Sequence, residues 1–329
     1  MIKNIFKMIL IILLFVIAFF FIGNPPKPEK IIWGINFSQK HAQNLGIDWK
    51  ESYSALIDEL GVRNIKLAVH WDLIEPRQGE YDFSDLDWQI KKAEEKEVNI
   101  VPIIGMKVPR WPECHVPQWA KNLSKEDQQK EISGMLKEII ERYKGSPSIK
   151  QWQVENEPLF SFGECQWIDK DFLKKEIDLV KSLDEQKRPI IISDSGEGSF
   201  WIEAAKLGDI VGTTIYRKVW MSQLNNYLTY RFPPIFYWRK AEIVKALFNK
   251  KVICIELQAE PWGPKLLYDS SLEEQEKTMN LTQFQKNIEF AKKTGFDEFY
   301  LWGGEWWYWM KEKQNNPEIW DEAGKLFKN

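Results

Sequence analysis

Two glutamates suggest the chemistry of this sequence. Glu157 stands in Asn156-Glu157-Pro158, at the end of the apolar-rich run Ile149–Asn156. Pro158 has no N–H to give a strand ladder, so the strand stops there. Glu256 closes a second run, Val252-Ile253-Cys254-Ile255-Glu256-Leu257-Gln258. Period-two alternation puts Cys254 and Glu256 on one face. Two carboxyl groups facing one cleft can break a glycosidic bond. One protonates the departing oxygen; the other attacks the anomeric carbon or activates water, and a separation of ~5–5.5 Å makes the pair retaining. The pair needs neither metal nor cofactor. Glu260-Pro261-Trp262 imitates the Glu-Pro of the first motif. Glu260 falls beyond the strand, on a loop, and is expected as a subsite ligand rather than the nucleophile.

Such a pair needs a rigid frame. Strands are expected at Ile31–Phe37, Asn64–Trp71, Asn99–Gly105, Ile149–Asn156, Pro189–Asp194, Ile210–Tyr216, Lys251–Leu257 and Glu298–Gly303. Helical patterns follow them near Asp48–Leu60, Ser84–Lys96, Gln128–Lys144, Asp169–Glu185, Phe200–Leu207, Trp238–Phe248, Leu272–Thr294 and Pro317–Phe327. Strands alternating with helices over this length predict an α/β fold, a (β/α)8 TIM barrel. Residues 31–329 are expected to form it as one domain. A barrel's chemistry sits at the C-terminal ends of its strands, and both glutamates fall there. No GxGxxG or Walker A sequence supports nucleotide binding.

On these motifs the chain resembles the clan A glycoside hydrolases, (β/α)8 retaining enzymes. Asn156-Glu157-Pro158 is similar to their fourth-strand motif. The resemblance implies that Glu157 is the acid/base and that Asn156 contacts the sugar 2-hydroxyl. It makes Glu256 the seventh-strand nucleophile and Tyr216 a donor to it. Trp302 becomes the aromatic floor of the −1 subsite. The segment from Trp71 through Glu75-Pro76-Arg77-Gln78-Gly79-Glu80 to Leu86-Asp87 resembles the clan's second-strand exit. The nearest comparisons are family 5 and the galactosidase-like families 42 and 35. Lys66 departs from the pattern, standing where family 5 types often carry Arg. It can still donate to Glu256, without the bidentate fork. Glu155 also departs, and is expected either to pair with Lys66 or to bind sugar.

Further substrate contacts are expected from the rim. His70 ends the second strand. Trp111, His115, Trp262, Glu305 and Trp306 fall on or just after strand ends, where flat aromatic faces suit pyranose rings. The segment Gly303-Gly304-Glu305-Trp306-Trp307 is the foremost platform candidate. The long connection Arg217–Tyr237 reads as a lid, a bilayer contact or a packed excursion.

Composition narrows the partners. Lys+Arg 45 against Asp+Glu 48 leaves a net charge of −3, with no basic excess to draw nucleic acid. Aromatics at 14%, 17 tryptophans among them, exceed what a core requires, and flat indole faces suit sugar rings, bases or a membrane interface. Lys3 and Lys7 precede the apolar run Met8–Ile22, and Pro25-Pro26-Lys27-Pro28 follows. Residues 1–23 therefore read as an uncleaved signal anchor, and 24–30 as a stiff Pro-rich spacer. The positive-inside rule puts the N-terminus in the cytoplasm and the barrel outside; cleavage would make the protein secreted. Cys114 and Cys165 follow neighbouring strands and are expected to bridge outside the cell, with Cys254 a buried free thiol. A retaining β-glycoside hydrolase is the leading reading. An envelope transglycosylase using the same pair, or a silent carbohydrate-binding barrel, are the alternatives.

Overall fold

The computed structural model describes residues 2–328, with the side chains of Ile2 and Lys3 undescribed. Met1, Asn329 and the Lys3 side chain of the charged flank thus lie outside the described residues. The barrel strands are β1 (Ile32–Phe37), β2 (Asn64–Ala68), β3 (Asn99–Ile104), β4 (Trp152–Val154), β5 (Ile190–Asp194), β6 (Ile210–Ile215), β9 (Lys251–Gln258) and β10 (Glu298–Trp302). All pair in parallel, and β1 closes on β10. The hairpin β7 (Lys218–Met221) and β8 (Asn226–Thr229) interrupts the alternation after β6. The expected (β/α)8 barrel is therefore the fold, with one apolar helix, α1 (Ile2–Phe21), ahead of it.

Alternation along the strands divides two cores. Val101, Ile191, Ile253, Ile255 and Tyr300 fill the barrel interior. Ile35, Phe37, Ile65, Leu67, Trp152, Val154, Cys254 and Leu257 face the helices. Gly212 leaves room for Ile255 inside: a Cβ there would lie 2.9 Å from the Ile255 side chain. The helices open on side-chain caps. Asp169 accepts from the N–H groups of Asp171 and Phe172, and Ser124 from Asp127. The expected helix Leu272–Thr294 is two, Leu272–Glu276 and Leu281–Ala291, because Asn280 leaves helical geometry and caps the second. Gly304–Gln314 is a helix, and the platform expected at Gly303–Trp307 falls on its start.

The expected fourth strand, Ile149–Asn156, shrinks to Trp152–Val154. Glu155 and Glu157 both adopt left-handed backbone, with φ of 58° and 40°. Non-glycine residues rarely sit there, and such strain gathers at functional sites. The double turn breaks alternation and separates the two side chains. The Glu155 carboxylate accepts from the N–H of Met106 (2.7 Å) and of Lys107 (2.5 Å), with Glu176 beside it. Gly105, at φ 127°, has no Cβ to collide with that carboxylate. Glu155 is thus a structural brace, not the expected partner of Lys66.

Candidate active site

β9 aims Glu256 by a bulge. Its register with β6 shifts between Thr213 and Thr214, pairing Cys254 with Thr213 but Glu256 with Thr214. The extra residue is Ile255, and a bulge of this kind re-aims a side chain. Cys254 therefore faces the helices and Glu256 the barrel mouth, which corrects the alternation expected for this strand. Asn36 of β1 holds the bulge, donating its Nδ2 to the Ile255 carbonyl at 3.0 Å.

At the mouth the Glu256 carboxylate has two partners. Lys66 Nζ lies 3.3 Å from Oε1, with both groups buried. The Tyr216 hydroxyl donates to Oε2 at 2.9 Å. Burial drives the Lys66 ammonium below its ordinary range, and the Glu256 charge opposes that fall. Tyr216 is itself placed by Glu197, which accepts from the Tyr216 N–H at 3.1 Å and from the Tyr237 hydroxyl at 2.6 Å.

Glu157 faces the same space in a different environment. Its backbone N–H donates to Ser193 Oγ at 2.7 Å, and Thr214 Oγ1 lies 3.4 Å from its Oε1. Burial first, and the Glu256 charge second, push its carboxyl well above the ordinary range. Asn156 is oriented by Gln153, whose Nε2 donates to its Oδ1 at 3.2 Å. Glu113 approaches the Asn156 Nδ2 at 3.4 Å, and burial raises its carboxyl to about 8. Among the described residues no His/Cys/Asp/Glu cluster could hold a metal ion.

Arg110, absent from the sequence expectations, dominates one wall. Its guanidinium lies 4.0 Å from the Trp302 ring centroid. It ion-pairs with Glu260 and, at 3.3 Å, with Glu305. Burial alone would raise Glu260, but Arg110 and His41 hold it at about 2. Glu260 and Glu305 are thus counter-ions of Arg110 rather than exposed sugar ligands, and Glu305 also accepts from the Ser38 N–H. Trp302, the expected subsite floor, is covered by the arginine, and Lys66, Arg110 and Trp302 line one narrow cleft.

The two histidines brace that wall. His115 Nε2 meets the Arg110 carbonyl at 3.0 Å, and its Nδ1 meets Lys40 Nζ at 3.0 Å. His70 packs edge-on against it, with its Nε2 3.4 Å from Ser38 Oγ. Burial and Lys40 hold His115 down at about 3, so it is neutral. Trp306 is buried and donates to Gln275 Oε1 at 2.8 Å; Trp307 is fully buried. The expected platform at 303–307 is core. An aromatic wall stands elsewhere: Trp111 and Trp262 flank Phe162, which stacks on Phe160, and Trp111 and Phe160 are exposed. Phe160 and Phe162 were not anticipated, though they follow Glu157 by only a few residues.

Cys114 and Cys165 form the expected disulfide, with Cα atoms 5.2 Å apart and a sequence separation of 51. It ties the β3 loop carrying Arg110 and Glu113 to the β4 loop carrying Phe160 and Phe162. Closing a loop of that length contributes roughly 3–4 kcal/mol in the chain-entropy model. Reductant is expected to lower the urea midpoint accordingly. Superimposable curves with and without dithiothreitol would show that the bridge adds nothing.

Residues 34–175 match the profile of Glycosyl hydrolase family 10. The match includes Asn156 and Glu157 and stops short of Glu256. No curated protein sequence matches the chain. The fold is similar to that of a GH5_18 protein from Bifidobacterium longum subsp. longum, with a TM-score of 0.59 and 13% identity over 83% of this chain and 70% of that one. It is similar to an exo-beta-1,4-mannosidase from Opitutaceae bacterium strain TAV5, with a TM-score of 0.57 and 15% identity over 83% and 51%. It is also similar to xylanase 10B from Thermotoga petrophila, with a TM-score of 0.53 and 13% identity over 83% and 82%. The (β/α)8 fold is shared with these proteins, and the family 10 profile matches less than half of the chain. Its recognisable family signal is that of family 10, in the first half of the barrel.

Proposed function

We propose that the domain is a retaining β-glycoside hydrolase with Glu157 as acid/base and Glu256 as nucleophile. One observation carries this reading: two carboxyl groups at one mouth stand in opposed environments. Glu256 is held by a cation and a phenol, while burial keeps the proton on Glu157. Glu157 gives its proton to the glycosidic oxygen as that bond breaks, and Glu256 Oε attacks the anomeric carbon. Glu157, now a carboxylate, takes a proton from water, which displaces Glu256 and restores both groups. Tyr216 and Lys66 orient the attacking oxygen and stabilise its charge.

Solved structures of similar fold come from a mannosidase, a xylanase and beta-galactosidases, so a panel of aryl β-mannosides, β-xylosides and β-galactosides is the place to begin. Proton NMR of the first product anomer tests the mechanism. Retention is expected; inversion would remove the role given to Glu256.

The Glu256 charge disfavours the ionised form of Glu157. In Glu256→Gln that charge is gone, so the Glu157 midpoint, followed by 13C-carboxyl NMR, is expected to move down. Burial remains, so it should stay above an ordinary glutamate. An unmoved midpoint would mean that the two groups do not face one another.

The Arg110 cover on Trp302 favours a second reading, a barrel that holds glycan along the aromatic wall without turnover. Calorimetry with xylo- and manno-oligosaccharides separates the two: saturable binding with no product after prolonged incubation would select it.

A further inference from the structure

Among the described residues, the ring contacts that Phe20 and Phe21 of the apolar helix α1 make with the barrel fall at the catalytic rim. Phe20 packs against Phe200 and Phe236, with ring centroids 5.9 and 5.8 Å away. Phe21 packs against Phe232 and Phe236 at 6.3 and 5.9 Å. Phe200 lies on the connection leaving β5, Phe232 on the one leaving β6, and Phe236 in the first turn of the helix Pro234–Phe248. Connections that leave the C-terminal ends of barrel strands lie on the catalytic face. Few side chains separate the dock from the chemistry. Tyr237, next to Phe236, bonds Glu197; Glu197 bonds the Tyr216 backbone; the Tyr216 hydroxyl bonds Glu256.

The rest of α1 stands clear of the barrel, its large apolar side chains from Ile5 to Ile17 exposed. Its 20 residues rise about 30 Å, the thickness of a bilayer's hydrocarbon core. With α1 in a bilayer, Phe21 lies at the headgroup boundary, and the β5–β6 side of the rim lies there with it. The chemistry of that side fits. Phe200 and Arg231 are exposed, and Tyr230 stacks on Phe232 at the dock. The Arg239 guanidinium lies between the rings of Phe19 (4.7 Å) and Trp238 (4.9 Å), and its buried Nε has no hydrogen-bond partner. Aromatic rings and cations at this depth are what a phospholipid headgroup layer selects.

The spacer fixes the orientation. After Ile22 the chain returns along the barrel wall, with Pro25 and Pro26 against Gly295, and Ile32 N–H donates to the Asp297 carbonyl at 2.8 Å. Gly295 lies against Trp238, beside the dock, and Asp297 immediately precedes β10, toward the face opposite the rim. A free tether would let the domain tumble; this strap does not.

We propose that the β5–β6 side of the rim seats in the headgroup layer, and that the substrate is a saccharide borne on a membrane lipid. The substrate class rests on the glycosidase reading; the seating does not. Cys254 is buried and the other two cysteines are bridged, so one introduced thiol takes one fluorophore. The full chain in vesicles containing brominated phosphatidylcholine is labelled at Phe200→Cys or, at the opposite face, at Glu95→Cys. Quenching at position 200 and none at 95 is expected. Equal or absent quenching at both, or a membrane-free chain starting after Ile22, overturns the proposal.

The second arm compares an aryl β-glycoside in solution with the same sugar on diacylglycerol in anionic vesicles. Phe200→Ser with Arg239→Ser should lower turnover of the lipid glycoside about fivefold or more, the loss of ~1 kcal/mol that one surface cation contributes near anionic lipid. Turnover of the soluble glycoside should not change. Equal losses on both substrates, or no loss on either, would overturn the lipid-borne substrate. Quenching at 200 with neither glycoside cleaved would support the seating and defeat the glycosidase reading.

Discussion

Glu256→Gln is expected to lower kcat on an activated aryl β-glycoside by on the order of 10^4-fold or more, the scale on which single groups of a covalent catalytic unit are lost. The amide keeps the volume of the side chain and can still accept from Tyr216. It has no carboxylate to attack the anomeric carbon. Alanine is the poorer test, because Lys66 is fully buried and Glu256 is its ion-pair partner. Removing one member of a buried pair typically costs about 3–5 kcal/mol, so an inactive Glu256→Ala could merely be an unfolded one. The amide also leaves Lys66 without a counter-ion, but its oxygen still accepts hydrogen bonds, so Glu256→Gln should keep the wild-type far-ultraviolet circular dichroism and lose less urea stability than Glu256→Ala. If Glu256→Gln retains within tenfold of wild-type kcat, the nucleophile is another group.

The second large effect concerns stability. Arg110→Met preserves an apolar stem over Trp302 but leaves Glu260 and Glu305 buried without their cation. A loss of about 3–5 kcal/mol is expected. It should appear as a lower urea midpoint with an unchanged slope, since the same surface unfolds. A midpoint within about 1 kcal/mol of wild type would show that solvent or His41 already satisfies the two carboxylates.

The frame was legible because its signals are local. All eight barrel strands fall inside runs of apolar and β-branched residues, and the strand ends point to Glu157 and Glu256. What escaped reading depends on partners distant in sequence. The bulge at Ile255 is held by Asn36, 219 residues away, and nothing in Val252–Gln258 announces it. Left-handed backbone at Glu155 and Glu157 reverses side chains that simple alternation would place together. Trp306 and Trp307 looked like exposed platforms because loops after strands usually lie at the surface. Here the chain turns directly into a helix that buries both rings. Arg110 gave no signal beyond its charge. Its place is set by Glu260 and Glu305, which come from the far side of the barrel.

The bulge makes the two halves of the barrel inseparable in a practical sense. Asn36 belongs to the first strand and Ile255 to the seventh barrel strand, so any cut after the fourth or fifth repeat sends them to different fragments. A half-barrel ending near residue 175 would keep Glu157 and the disulfide but would not contain Glu256. The complementary half would hold Glu256 on a strand whose Ile255 carbonyl has lost the Asn36 amide. That strand would be free to straighten by one residue and swing the carboxylate toward the helices. Split-protein reconstitution of this enzyme therefore has to restore a single side-chain contact before it can restore an active site. Any graft of the carboxylate pair onto another barrel must carry that asparagine with it.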